Sequence, residues 1–235
     1  MTTSPADAEQ VTGISSMATR HLLAELSDAY ERKSGQRVAV VSVGGVDAAR
    51  RVQGGEAFDF VVLAADAIEQ LAATGSIVAG SRIDLARSGV AVAVAAGARR
   101  PDIANEQAVR DAVLAARCIG YSTGPSGTHL VRLFGRWGVA ATIAPRVVQA
   151  PPGTPVATLV ARGDVELGFQ QLSELIHQPD IDVVGPLPPE IQLNTVFSGA
   201  VCSASRRREA AMALLSFLAS PAADPAKRRQ GMEPA

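Results

Sequence analysis

One pattern occurs three times between Val11 and Gly75: a short apolar run, a turn of Ser, Gly or Ala, then apolar residues at helical spacing. The first round is a strand at Val11–Ser15 and hydroxyl caps at Ser15, Ser16 and Thr19. A helix from about Ala18 to Lys33 follows, carrying Leu22, Leu23, Leu26, Ala29 and Tyr30 on one face and stopped by Gly35. The second is Arg37–Val43, Gly44–Gly45 and a helix Asp47–Gln53 ended by Gly54–Gly55. The third is Phe58–Leu63 and a helix Asp66–Ala73 ended by Gly75. Strand–turn–helix units in series predict a parallel sheet joined by right-handed crossovers. The first turn lacks G-x-G-x-x-G, so a dinucleotide fingerprint is absent.

The alternation continues. Strands are expected at Gly89–Ala96, Cys118–Ser122, Arg146–Gln149, Val165–Phe169 and Asp182–Val184. Helices are expected at Glu106–Ala115, Leu130–Trp137, Pro155–Ala161 and Leu172–Ile176. Leu193–Ala204 reads as a long extended stretch and Glu209–Leu218 as an apolar helix. The tail Pro221–Ala235 is charged, holds prolines and is expected at the surface.

Composition narrows the function. With 22 Lys and Arg against 23 Asp and Glu the net charge is −1, and no basic stripe carries aromatics, which argues against nucleic acid. Arg206–Arg208 reads as a solvated helix start. Cys118 and Cys202 have no metal or C-x-x-C spacing and read as small buried hydrophobes in strand-like runs. No Ser/His/Asp or Cys/His arrangement suggests a hydrolase, and no His–carboxylate cluster suggests a metal; no cofactor is expected. The first ten residues have neither a basic nor an apolar region of a signal peptide, and no run reaches membrane-spanning length. The expectation is a cytoplasmic chain without membrane insertion, or a periplasmic one if a leader has been removed.

The order of Ser15–Ser16, Gly35, Ala49–Gly55, Phe58–Val62 and Ala64–Asp66, followed by Gly120–Gly127, Arg162–Gly168 and the Pro221 region, resembles the molybdate-binding group of type II periplasmic solute-binding proteins. The resemblance covers nearly the whole chain. It implies an α/β fold of two lobes, each a mostly parallel sheet flanked by helices, with two hinge crossings. The lobes would be 1–86 plus 194–235, and 87–193, with a ligand cleft between them. It also implies a small-molecule anion as partner and, for an exported chain, an ABC permease. Bacterial aconitate isomerase is similar to this group, which opens an enzymatic alternative.

Residue by residue, the candidate anion contacts are Ser15 or Ser16, Gly44 and Gly45, then Thr123, Ser126, Gly127 and Thr128, with Gly153, Gln170 and Gln171. Helix N-termini at such turns offer unpaired N–H groups and partial positive charge. The molybdate binders resemble one another in a serine at the second turn and a tyrosine after the strand ending at Phe169. Here Gly44–Gly45 and Gln170–Gln171 stand in those places. Amides both donate and accept, which suits an organic carboxylate better than a tetrahedral oxyanion. The readings are therefore a carboxylate-binding protein, an isomerase that moves a proton in a tricarboxylate, and an oxyanion receptor. For proton transfer His129, Asp66 and Glu174 are candidates, with His21 behind them; His177 carries no assigned role.

Overall fold

The structure is a computed structural model that describes residues 10–151 and 153–235. Of the first ten residues those up to Glu9 lie outside the described ones, as does Pro152, between the expected strand Arg146–Gln149 and helix Pro155–Ala161. In chain order the elements begin with β1 (Val11–Ser16), α1 (Arg20–Ser34), β2 (Val38–Val43), α2 (Gly45–Gln53), β3 (Phe60–Ala64), α3 (Ala65–Ala73) and β4 (Ile83–Ala95). Next come α4 (Glu106–Ala115), β5 (Ile119–Tyr121), α5 (Pro125–Arg136), α6 (Ala140–Ile143), β6 (Val147–Gln149), α7 (Val156–Ala161), β7 (Leu167–Gln171) and α8 (Leu172–Leu175). The chain closes with β8 (Ile181–Pro186), β9 (Asn194–Val201), α9 (Arg208–Ala219), α10 (Asp224–Arg229) and β10 (Glu233–Pro234). It divides into two units, one reaching Arg87 and resuming at Val196–Ala235, the other Ser88–Thr195.

In the first unit β1 pairs in parallel with β2 and with β3, and β9 runs antiparallel to β3. All five residues of β3 are buried, as a strand covered on both faces requires. Alternation splits them: Phe60 and Val62 pack with Leu22, Leu23 and Leu26 of α1 and Leu214, Leu215 and Leu218 of α9. Val61 and Leu63 pack with Ala48 and Val52 of α2 and Ile68 and Leu71 of α3. Gly13 has no side chain because the Phe60 ring lies 2.2 Å from where its Cβ would stand.

The C-terminal tail is folded, not a surface strand of charge. Its expected exposure is corrected by α10, by the pairing of β10 with Ala86 and Arg87 of β4, and by the burial of Ala223, Ala226 and Met232. Lys227 is buried along its whole side chain, with its Nζ paired to Asp224 at 3.0 Å, so the charge enters the core with its partner.

In the second unit β7 lies between β4, antiparallel, and β5, parallel; β6 pairs in parallel with β5, and β8 runs antiparallel to β4. One sheet face packs Val90, Val92 and Phe169 on Val109, Val113, Leu130, Leu133 and Phe134. On the other, Ala91 and Ala93 meet Ala157 and Leu175, and Val156 packs beside Val160 and Val165. Gly168 and Gly120 let α7 and the turn after it press onto the strands: a Cβ on Gly168 would stand 2.5 Å from Val160, and one on Gly120 2.8 Å from Val165 and 3.2 Å from Val156.

Three further expectations shift. β4 begins six residues before Gly89, because Arg87 and Ser88 break the apolar run without ending the strand. α5 starts at Pro125, not Leu130: proline's fixed φ suits the first helical position, so most of the supposed turn is helix. Cys118 lies just before β5, half-buried, with Sγ directed at the Asp164 carbonyl at 3.1 Å; Cys202 is buried as expected, and both are free thiols. Burial and then Asp59 push the Cys202 thiol up to about 12.

Candidate functional site

β1, β2 and β3 are parallel and in register, Ser16 beside Val43 and Ser15 beside Val62, so all three end on one edge of the first unit's sheet. Each runs directly into a helical turn, with Ser16, Gly44 and Ala64 as caps. None of those caps uses its side chain to cover the helical N–H groups, and helix N-termini of this kind offer donors and partial positive charge, though at the third turn Asp66 covers the Ala67 N–H. The two serines differ. Ser15 is fully buried and its hydroxyl is taken up by Ser42 Oγ at 2.9 Å and the Ser16 carbonyl at 3.2 Å. Ser16 Oγ is buried with no partner among the described residues. Gly45 stands over it, its Cβ position 3.8 Å from Ser16 Cβ. Thr19 supports the turn by donating to the Ser16 carbonyl at 3.2 Å. Asp66 is exposed on the first turn of α3 and accepts from the Ala67 N–H at 2.9 Å.

In the second unit β5 ends in Ser122–Gly124, which leads into α5. Ser126 is buried, 3.0 Å from Ser122 Oγ, a residue the sequence reading passed over although it adjoins the turn. A Cβ on Gly127 would stand 1.7 Å from the Ser122 carbonyl oxygen, so only glycine lets the helix start this close to the strand end. Thr123 and Thr128 are exposed, and Gly153 is exposed with a left-handed φ of 80°. His129 is half-buried and its Nε2 lies 2.7 Å from the Ile191 carbonyl, a tie to a neighbouring turn.

Gln170 and Gln171 belong to β7 rather than following it, and the pleat sends them to opposite faces. Gln171 is 2% exposed. Its amide is satisfied when nitrogen donates to the Ser88 and Gly89 carbonyls, at 2.9 and 3.3 Å, and oxygen accepts from Thr195 Oγ1 at 2.8 Å. That ties together the first and last residues of the second unit. Ser88 further contacts Ser173 at 3.4 Å. Gln171 is thus fully occupied inside its unit, and the expectation that it is a ligand donor is not supported by its hydrogen bonds. Gln170, on the Gly168 face, accepts from the Ala157 N–H at 3.2 Å and donates to Glu174 Oε2 at 2.7 Å.

Glu174 is the titratable group with a changed character here. It sits in α8, half-buried, and in no ion pair among the described residues. Burial raises its pKa from 4.5 to about 7 against the opposing Gln170 hydrogen bond. A carboxyl poised near neutrality can take up and release a proton at physiological pH. Of the three acid–base candidates, Asp66 is exposed and His129 is tied to a carbonyl, which leaves Glu174. Among the described residues no three His, Cys, Asp or Glu side chains gather to hold a metal, and no helix is long and apolar enough to cross a membrane.

The family model described as bacterial extracellular solute-binding protein matches residues 11–233. An aconitate isomerase from Pseudomonas sp is 38% identical over 230 residues, covering 95% of this chain and 87% of the relative. Among solved structures, the periplasmic molybdate-binding protein of Azotobacter vinelandii superposes with a TM-score of 0.79 at 18% identity, over 94% of this chain and 98% of that one. A sulfate-binding protein of Mycobacterium tuberculosis H37Rv does so with 0.78 at 16% identity, over 96% of this chain and 87% of that one. The two-lobed α/β fold of periplasmic binding proteins is thereby shared.

Proposed function

This chain belongs to the bacterial extracellular solute-binding protein family, and we propose that it binds a small organic polycarboxylate and moves a proton within it, as an isomerase of the aconitate type. The observation that carries the reading is Glu174, a carboxyl held near neutrality in a chain 38% identical to an aconitate isomerase. In its ionised form Glu174 removes a proton from the methylene carbon of the substrate's allylic system. The electron pair moves into that system and the double bond shifts by one carbon. Delivering a proton from the Glu174 carboxyl, which exchanges with solvent between the two steps, to the far carbon completes the isomerisation, with no redox change and no metal required. Within the first unit, the uncapped helix N–H groups and the Ser16 hydroxyl are of the kind that bind a carboxylate. Gly44 and Gly45 support a substrate larger than a tetrahedral oxyanion, since nothing lies within 4 Å of the Gly44 Cβ position. An extracellular or periplasmic location, and an ABC permease as partner, belong to the binding-only form of the reading.

Thermal melting against cis-aconitate, trans-aconitate, citrate, molybdate, tungstate and sulfate tests the ligand class. At one hundred times Kd a ligand adds about 2.7 kcal/mol to stability. Stabilisation by an aconitate supports the reading. Stabilisation by the oxyanions alone overturns it in favour of an oxyanion receptor.

A further inference from the structure

Gln170 is 1% exposed and makes two hydrogen bonds that are not interchangeable. Its partner on α7 is the Ala157 N–H, which can only donate. The Gln170 oxygen must therefore face α7, and its NH2 group must face Glu174. An amide NH2 can only donate, so Glu174 Oε2 is an acceptor whether the carboxyl is charged or neutral. When Glu174 holds a proton, that proton sits on Oε1, which has no partner among the described residues.

We propose that Gln170 is a positioning residue for Glu174: its amide, oriented by the Ala157 N–H, keeps Oε2 as a fixed acceptor and makes Oε1 the oxygen that takes up and delivers the proton. This rests on the reading of Glu174 as proton carrier. The surroundings leave the amide in control. Across β7, the residue of β4 paired with Gln170 is Ala91, and the α7 group at hand is a backbone N–H. Tyr121, at the end of β5, is paired with Phe169 of β7. His129 of α5 directs its Nε2 at Ile191. Burial and Gln170 are the two influences on Glu174, acting in opposite directions.

The test is the titration of the Glu174 side-chain carboxyl by carbon-13 NMR in the ligand-free protein, with kcat/KM against pH on aconitate beside it. In Gln170→Met the carboxylate loses a donor, and its midpoint should rise by about one to two pH units. The rising limb of kcat/KM should move with it. Gln170→Glu keeps an acceptor for the Ala157 N–H but sets a second carboxyl against Glu174; the pair should then titrate in two separated steps. This second variant decides the matter if the first does not fold. An unmoved Glu174 midpoint in the variant that folds overturns the positioning role. A moved midpoint in a protein without isomerase activity upholds the positioning and overturns only the catalytic reading, so the two failures are distinguishable.

Discussion

Glu174→Gln separates the energetics of this carboxyl from any ligand. In the unfolded chain Glu174 loses its proton near 4.5, whereas in the folded protein it holds it to about 7. Between these values the native state binds more protons than the unfolded state, so stability falls as pH rises and the penalty is complete above about 7. At about 1.4 kcal/mol per pH unit, that interval corresponds to on the order of 3 kcal/mol. Glutamine is isosteric, cannot ionise, and keeps an oxygen to accept from Gln170 Nε2. The variant should therefore match the parent near pH 4.5 and exceed it above pH 7, by roughly 6–12 °C in Tm for a chain of this length. The assay is melting of both proteins in steps from pH 4.5 to 8.5 at constant ionic strength. Two curves that stay parallel over this range would refute the claim that burial holds Glu174 neutral.

Other sites give sharper local tests. Ser16→Ala removes a hydroxyl that has no partner among the described residues, so melting should stay within about 0.5 kcal/mol of the parent while Kd for the bound carboxylate, read by calorimetry, weakens by about tenfold. Gln171→Met leaves Thr195 and the Ser88 carbonyl without their partner and should cost about 2 kcal/mol in urea unfolding. Asp59 accepts from the Thr12 N–H at 2.9 Å, Thr12 Oγ1 at 3.2 Å and Ser205 Oγ at 2.7 Å. Asp59→Ala should cost about 3 kcal/mol by the same measurement, since hydrogen bonds to a charged group are lost together.

The alternation of strands and helices was legible because small residues mark nearly every junction, and Glu106–Ala115 coincides with the observed α4. What was not legible depends on partners distant in sequence. The tail looks solvated until β10 finds β4 and Lys227 finds Asp224. The two glutamines look alike in sequence, yet the pleat gives Gln170 to α7 and Glu174, and Gln171 to Ser88 and Thr195. Nor does the sequence tell Ser15 from Ser16: both are buried, but Ser42 across the sheet occupies the first and leaves the second. Glu174 is a candidate by its place beside the glutamine pair, but its spacing does not show the burial that raises its pKa. Each of these outcomes is set by tertiary packing rather than by local spacing.

The most direct measurement is proton NMR of trans-aconitate with the protein in deuterium oxide at pD near 8. Signals of cis-aconitate should grow in with the parent protein, with deuterium entering only the carbons at the two ends of the allylic system, and neither change should occur with Glu174→Gln. A bound but unaltered aconitate, with no deuterium gained, would contradict proton transfer and leave a binding protein. Equal turnover in the Glu174→Gln variant would contradict the choice of carboxyl.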